Sequence, residues 1–189
     1  ERHSEMFDMM GFEPSFDNKI NIHIGGAYGD HAATAVRWIA AWHRLSDGCK
    51  KRLVVENDDK ANMWSVQMLY DYFHKEIGIP ITFDYFHHKF HTSDLTEEQA
   101  LKLAATTWPD GVRQCTHYSE SKREEELRAF NRMCKANSID PKNIEDWPTL
   151  LEMKKKVDKI RATAHADYVI EEINTYGLDI DIVLEVKAK

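Results

Sequence analysis

Short apolar runs that each stop on a metal-type side chain constrain this sequence more than any other feature. Ile20-Asn21-Ile22 ends on His23, and Leu53-Val54-Val55 ends on Glu56. Ile79-Pro80-Ile81-Thr82-Phe83 ends on Asp84, with His87 and His88 just beyond. Val112-Arg113-Gln114-Cys115-Thr116 leads to His117, and Ile180-Asp181-Ile182-Val183-Leu184 leads to Glu185. A β-rich run of ~4–8 residues bounded by turn signals reads as a buried parallel strand. Barrel enzymes keep their reacting groups at the C-terminal ends of several such strands. The pattern therefore predicts one site assembled from distant stretches of chain.

The segments between the runs read as helices. Residues 3–10 are helical with Gly11 as the stop, and 30–45 form a second helix ended by Asp47-Gly48. Asp58 or Asp59 is expected to cap a third, which carries Trp64, Met68, Leu69 and Tyr72 and stops at Gly78. A fourth covers 96–105. This βα rhythm implies a parallel sheet with right-handed crossovers. It breaks over 119–162, which is charged and helical and reads as a two-helix excursion or a solvated spacer. A helix over 163–175 is then expected to carry His165.

About five strands in 189 residues fall short of a closed (β/α)₈ barrel, which typically needs ~250 residues. Gly25-Gly26-Ala27-Tyr28-Gly29 is not a dinucleotide fingerprint, so an incomplete α/β TIM barrel explains the strands better than a doubly wound sheet. The expectation is a single domain over 1–189 with a helical insertion at 119–162 before the last strand. The chain begins without Met, as if partway through something. Two exposed sheet edges predict self-association or a covering segment, such as a missing N-terminal barrel half.

Net charge is −7, which argues against a generic nucleic-acid-coating protein but leaves room for a carboxylate-rich metal site. Cys49, Cys115 and Cys134 form no CxxC pair, so a reducing compartment is expected, cytoplasmic or, in a eukaryote, nuclear. No run approaches ~18 apolar residues, so no membrane span is expected.

Seven residues are candidates for one site: His23, Glu56, Asp84, His87, His117, His165 and Glu185. Mixed imidazole and carboxylate donors suit Mn²⁺ or Zn²⁺, and such a set could hold two cations or three. Two metals ~3.5–4 Å apart can activate a water and stabilise a leaving oxygen. Taken singly the residues have plainer readings: His23 as a structural histidine, Glu56 as a helix cap. Asp84 and His87, three residues apart, can share one cation, and Glu185 closes an apolar run where a lone carboxylate would be costly. His31, His43, His74 and His91 are expected to be solvated, and Trp38, Trp42, Trp64 and Tyr72 to pack in the core. Cys115 shares the facing of His117 and is either a soft ligand or a small core residue. Lys187 and Lys189 suit either a solvated tail or a phosphate contact.

At these motifs the chain resembles the UV-damage endonucleases, relatives of endonuclease IV among the xylose-isomerase-like barrels. The resemblance runs through His23-Ile24-Gly25-Gly26-Ala27-Tyr28-Gly29-Asp30, Arg52-Leu53-Val54-Val55-Glu56-Asn57-Asp58 and Gly78-Ile79-Pro80-Ile81-Thr82-Phe83-Asp84 with His87-His88. It continues through Thr107-Trp108, His117-Tyr118-Ser119, His165-Ala166-Asp167-Tyr168 and Glu185-Val186-Lys187. It implies a metal-dependent DNA repair endonuclease that nicks damaged double-stranded DNA 5′ to UV photoproducts or other distorting lesions, by attack of a metal-activated water on the phosphodiester. The cofactors implied are two or three divalent ions, Mn²⁺ foremost, with Zn²⁺ or Mg²⁺ as alternatives. Glu56 would bridge two ions, with Asp84, His117 and Glu185 completing one site and His87, His165 and His23 around a third. Glu56, Asp84 and Glu185 would be the catalytic carboxylates. The chain departs from the family in lacking the opening strands, in having Cys115 where lysine is usual, and in the length of 119–162. A sugar isomerase or epimerase of the same superfamily, or a non-catalytic metal-binding module, are the competing readings.

Overall fold

The computed structural model describes residues 1–187, so Lys189 lies outside the described residues. Five parallel strands form one open sheet in the order β1-β2-β3-β4-β5. They are β1 (Ile20–His23), β2 (Leu53–Glu56), β3 (Ile81–Asp84), β4 (Gln114–Tyr118) and β5 (Ile180–Leu184). Glu185 follows the last strand directly. Sequential strands are neighbours and parallel, as crossover connections require, so the incomplete barrel expected from the sequence is the fold observed.

The chain divides into two compact units. The first comprises Glu1–His117 and Ile173–Val183. It opens with α1 (Arg2–Met9), where the fully buried Arg52 donates to Ser4 Oγ at 2.7 Å and to Asp8 Oδ1 at 2.7 Å. Helix α2 (His31–His43) is capped by Asp30, whose carboxylate accepts the Ala33 N–H. The short α3 (Asp47–Lys50) precedes β2. Helix α4 (Val66–Leu69) runs through a π turn at Tyr70–His74 into α5 (Lys75–Ile77), and Gly78 ends it with φ +67°. Buried Trp64 packs edge-on against Phe73 and Tyr72, whereas Trp38, Trp42 and Tyr72 of the expected core stripe are only half-buried.

That helix is not capped by Asp58 or Asp59. Ser65 takes the cap, accepting the Met68 N–H. Asp58 instead closes a local loop in which its N–H donates to Trp64 O and its carboxylate accepts the Trp64 N–H. Beyond β3 come α6 (Tyr85–Phe90), capped by Asp84, and α7 (Glu97–Ala105), opened by a reciprocal Thr96–Gln99 capping box. Val54, Trp108 and Cys115 pack with Phe16 and Val112, which makes Cys115 a core residue that joins no candidate metal group among the described residues.

The second unit comprises Tyr118–Glu172 and Leu184–Lys189. Its helices α8 (Lys122–Ala136) and α9 (Pro148–Lys159) enclose Phe130, Cys134, Ile144 and Leu150. The expected helix over 163–175 does not form. Its backbone is taken by distant partners: Ala166 N–H donates to Glu120 O, and Lys122 N–H donates to Ala164 O. The Glu120 carboxylate accepts the N–H groups of Ile170 and Glu171. No helix among the described residues is long and apolar enough to cross a membrane.

Candidate metal centre

Strand pairing decides which side chains share a face. Register places His23 opposite Glu56 and Asp84 opposite His117, so each pair leaves the sheet on one side at the strands' C-terminal ends. The two-residue repeat puts Asn21 on the same side as His23.

Glu56, 3% exposed, is the centre of the arrangement in the first unit. His23 Nε2 lies 3.7 Å from its Oε1 and His87 Nδ1 lies 3.3 Å from the same oxygen. His117 Nδ1 stands 3.1 Å from Oε2, to which Asn21 Nδ2 also donates. Asp84 is fully buried, with Oδ2 3.5 Å from His87 Nδ1 and Oδ1 accepting the His87 N–H at 2.8 Å. Its backbone is held by Asn57, whose Oδ1 accepts the Asp84 N–H at 2.8 Å and whose Nδ2 donates to Asp84 O at 3.0 Å.

Burial works against a charged Glu56, but the imidazoles of His117 and His87 outweigh it and hold the carboxyl well below its usual range. Burial likewise opposes a charged His87. The Glu56 carboxylate and the Asp84 charge prevail and push it up to about 9. The Asp58 carboxylate, 3.0 Å from His23 Nδ1, raises His23 against the effect of burial.

The candidate ligand atoms of His23, Glu56 and His87 lie within 4.8 Å of one another, and so do those of Glu56, Asp84 and His117. Glu56 belongs to both groups, which is the position a bridging carboxylate needs. His165 and Glu185 belong to the second unit, where His165 Nδ1 lies 3.1 Å from Glu185 O and 3.5 Å from its Oε2. Lys187 is exposed.

Other histidines differ from expectation. His91 is 8% exposed rather than solvated, and His31 and His74 are half-buried, facing the carbonyls of Met63 and Ile79 at 3.0 Å each. Only His43 of that set is exposed. Buried His88 packs against Phe83, and burial lowers its pKa. Sequence reasoning missed Asn21, Asn57 and Asp58 as supports of the site. For Asn21 the signal was present, because it lies two residues before His23.

A family model described as UV-endonuclease UvdE matches residues 1–189. A UV-damage endonuclease of Neurospora crassa is 36% identical over 132 residues, covering 64% of this chain and 20% of that protein. A UV DNA damage endonuclease of Bacillus velezensis is 33% identical over 162 residues, covering 82% of this chain and 49% of that protein. A solved structure titled "Crystal Structure of SacUVDE" superposes with a TM-score of 0.69 at 27% identity, covering all of this chain and 51% of the other. The chain thus spans about half or less of the length of these relatives. With ligand-type residues at the ends of successive parallel strands, and a match from first residue to last, the chain belongs to the UV-endonuclease UvdE family.

Proposed function

We propose that this chain is the cation-holding part of a DNA repair endonuclease that nicks duplex DNA 5′ to UV photoproducts or other distorting lesions. The observation that carries the reading is a buried carboxylate, Glu56, faced by three imidazoles at 3.1–3.7 Å. Family membership supplies the substrate class. The donor set fits divalent cations: Glu56 Oε1 is buried without a hydrogen bond, while histidine nitrogens stand beside it. The family resemblance points to Mn²⁺, with Zn²⁺ or Mg²⁺ as substitutes, and mixed nitrogen and oxygen donors accept divalent ions of this kind.

Divalent cations at such a site supply an activated water and charge stabilisation for phosphodiester cleavage. His23, Glu56 and His87 would hold one cation, and Glu56, Asp84 and His117 would take part in holding a second. Asn21 and Asn57 orient the acceptors, and Asp58 fixes the imidazole of His23. His165 and Glu185 enter as ligands on the family resemblance alone. Self-association, or a complementary barrel half, would supply what the open sheet lacks.

The test is nicking of UV-irradiated supercoiled plasmid with Mn²⁺, alongside unirradiated plasmid and the Glu56→Gln variant. Mn²⁺-dependent nicks confined to irradiated DNA and absent from the variant support the reading. Equal nicking of both plasmids overturns it. Activity that appears only in a longer chain assigns this portion the cation-binding role without independent catalysis.

A further inference from the structure

Tyr28 presents an unusual combination. Its side chain is 89% exposed, yet its backbone is left-handed, with φ +53°. A glycine would occupy that conformation without strain, as Gly25 and Gly29 do nearby at φ +90° and +80°. Strain and aromatic exposure both cost free energy, and neither is repaid by packing within the fold. Outliers of this kind cluster where a ligand is held.

The loop that carries Tyr28 is fixed. Ala27 is buried, and its carbonyl accepts the Asp30 N–H at 3.0 Å and Thr34 Oγ1–H at 2.9 Å. Trp64 Nε1 donates to Gly25 O at 2.8 Å. The Trp64 carbonyl also accepts the Asp58 N–H and its N–H donates to the Asp58 carboxylate, and Asp58 holds His23. One tryptophan therefore ties the loop to the candidate centre. The ring lies over Gly26, where a Cβ would meet Tyr28 Cζ at 3.5 Å, an ordinary contact distance. The aromatic ring is thus open to solvent on an anchored loop, at the C-terminal end of β1 and five residues beyond His23.

We infer that Tyr28 is a stacking platform for a nucleobase of the DNA lying across the strand ends. The inference rests on the endonuclease reading above and adds a substrate contact to it. An exposed aromatic face suits any base, because every base has a π-face. A backbone already locked in the required conformation loses little entropy on binding. The contact predicts selectivity for a duplex whose bases are already loosened, since an unstacked base costs less to engage.

The test uses a duplex carrying a defined photoproduct with 2-aminopurine beside it, titrated in EDTA so that no strand is cut. The wild-type chain should bind it in preference to the undamaged duplex and change the 2-aminopurine fluorescence. Tyr28→Ala should bind the damaged duplex roughly ten- to a hundred-fold more weakly and lose the fluorescence change, whereas Tyr28→Phe should keep both. Tyr28→Gly removes the backbone strain, so its melting temperature should match or exceed wild type while its binding falls like that of Tyr28→Ala. Mn²⁺ titration should be unchanged in all three variants. If Tyr28→Ala binds and reports like a wild type that still selects damage, stacking is overturned and the endonuclease reading stands. If the wild type shows no preference for damaged DNA, stacking by this chain is overturned, and the plasmid experiment decides the endonuclease reading by itself.

Discussion

His117 Nδ1 stands 3.1 Å from Glu56 Oε2, joining the ends of two strands that are not neighbours in the sheet. An imidazole and a carboxylate so close pair when the imidazole is protonated, and are placed to share a cation when it is not. The same contact thus links folding, protonation and cation binding.

Glu56→Gln tests the bridging role. The amide keeps the size of the side chain but removes the charge that faces three imidazoles. Mn²⁺ affinity should fall by more than the roughly 10- to 100-fold typical of losing a supporting residue, with fewer ions bound. Calorimetric titration with unchanged stoichiometry and affinity would refute bridging.

Asn21 gives the supporting-residue comparison. Its Nδ2 donates to Glu56 Oε2, so Asn21→Leu should loosen the carboxylate while leaving every candidate ligand in place. Mn²⁺ affinity is expected to drop roughly 10- to 100-fold with stoichiometry preserved. The amide variant Asn21→Gln should recover less than wild type, because its longer arm misplaces the donor.

The metal-free protein should have a stability optimum set by Glu56 and His87. His87 is raised in the fold to about 9 from 6.5, so its contribution is complete below about pH 6.5 and is lost as pH rises through about 9. Glu56 is lowered, so its contribution is present above its ordinary value of 4.5 and is lost as pH falls below it. Melting temperatures in EDTA should therefore peak between these limits. The His87 limb should be worth on the order of 3 kcal/mol at most. Cations compete with protons for the imidazoles, so Mn²⁺ affinity should rise with pH across the same interval. A melting temperature flat from pH 6 to 9.5 in EDTA would contradict the ion-pair account.

Thr96→Ala separates fold from site. It removes half of the capping box that opens α7, at a cost of about 1 kcal/mol. Chemical denaturation should show that loss while Mn²⁺ binding stays at the wild-type value.

The strands were legible because each is a short apolar run ended by a polar side chain that alternation turns toward the others. Gly78 and Thr96 likewise marked their helix boundaries through local backbone chemistry. What escaped was decided by partners far along the chain. Residues 163–175 have no obstacle to helix in their own sequence, but Glu120 and Lys122 claim their backbone groups and hold them irregular. Asp58 looks like a helix cap until Trp64 takes both its carboxylate and its N–H. His91 reads as a surface residue, and only packing buries it. Asn21 followed from the same alternation that singled out His23, but an amide beside an imidazole carries no metal signal of its own.

The reciprocal bonds between Asn57 and the backbone of Asp84 extend the β2–β3 pairing past the point where the strands themselves stop. A side-chain amide there imitates one more rung of peptide ladder, so the spacing of Glu56 and Asp84 is built into the scaffold before any ion arrives. Exchange of one divalent ion for another then requires no rebuilding of the cradle, and a protein stripped by chelation should regain its function on resupply without refolding.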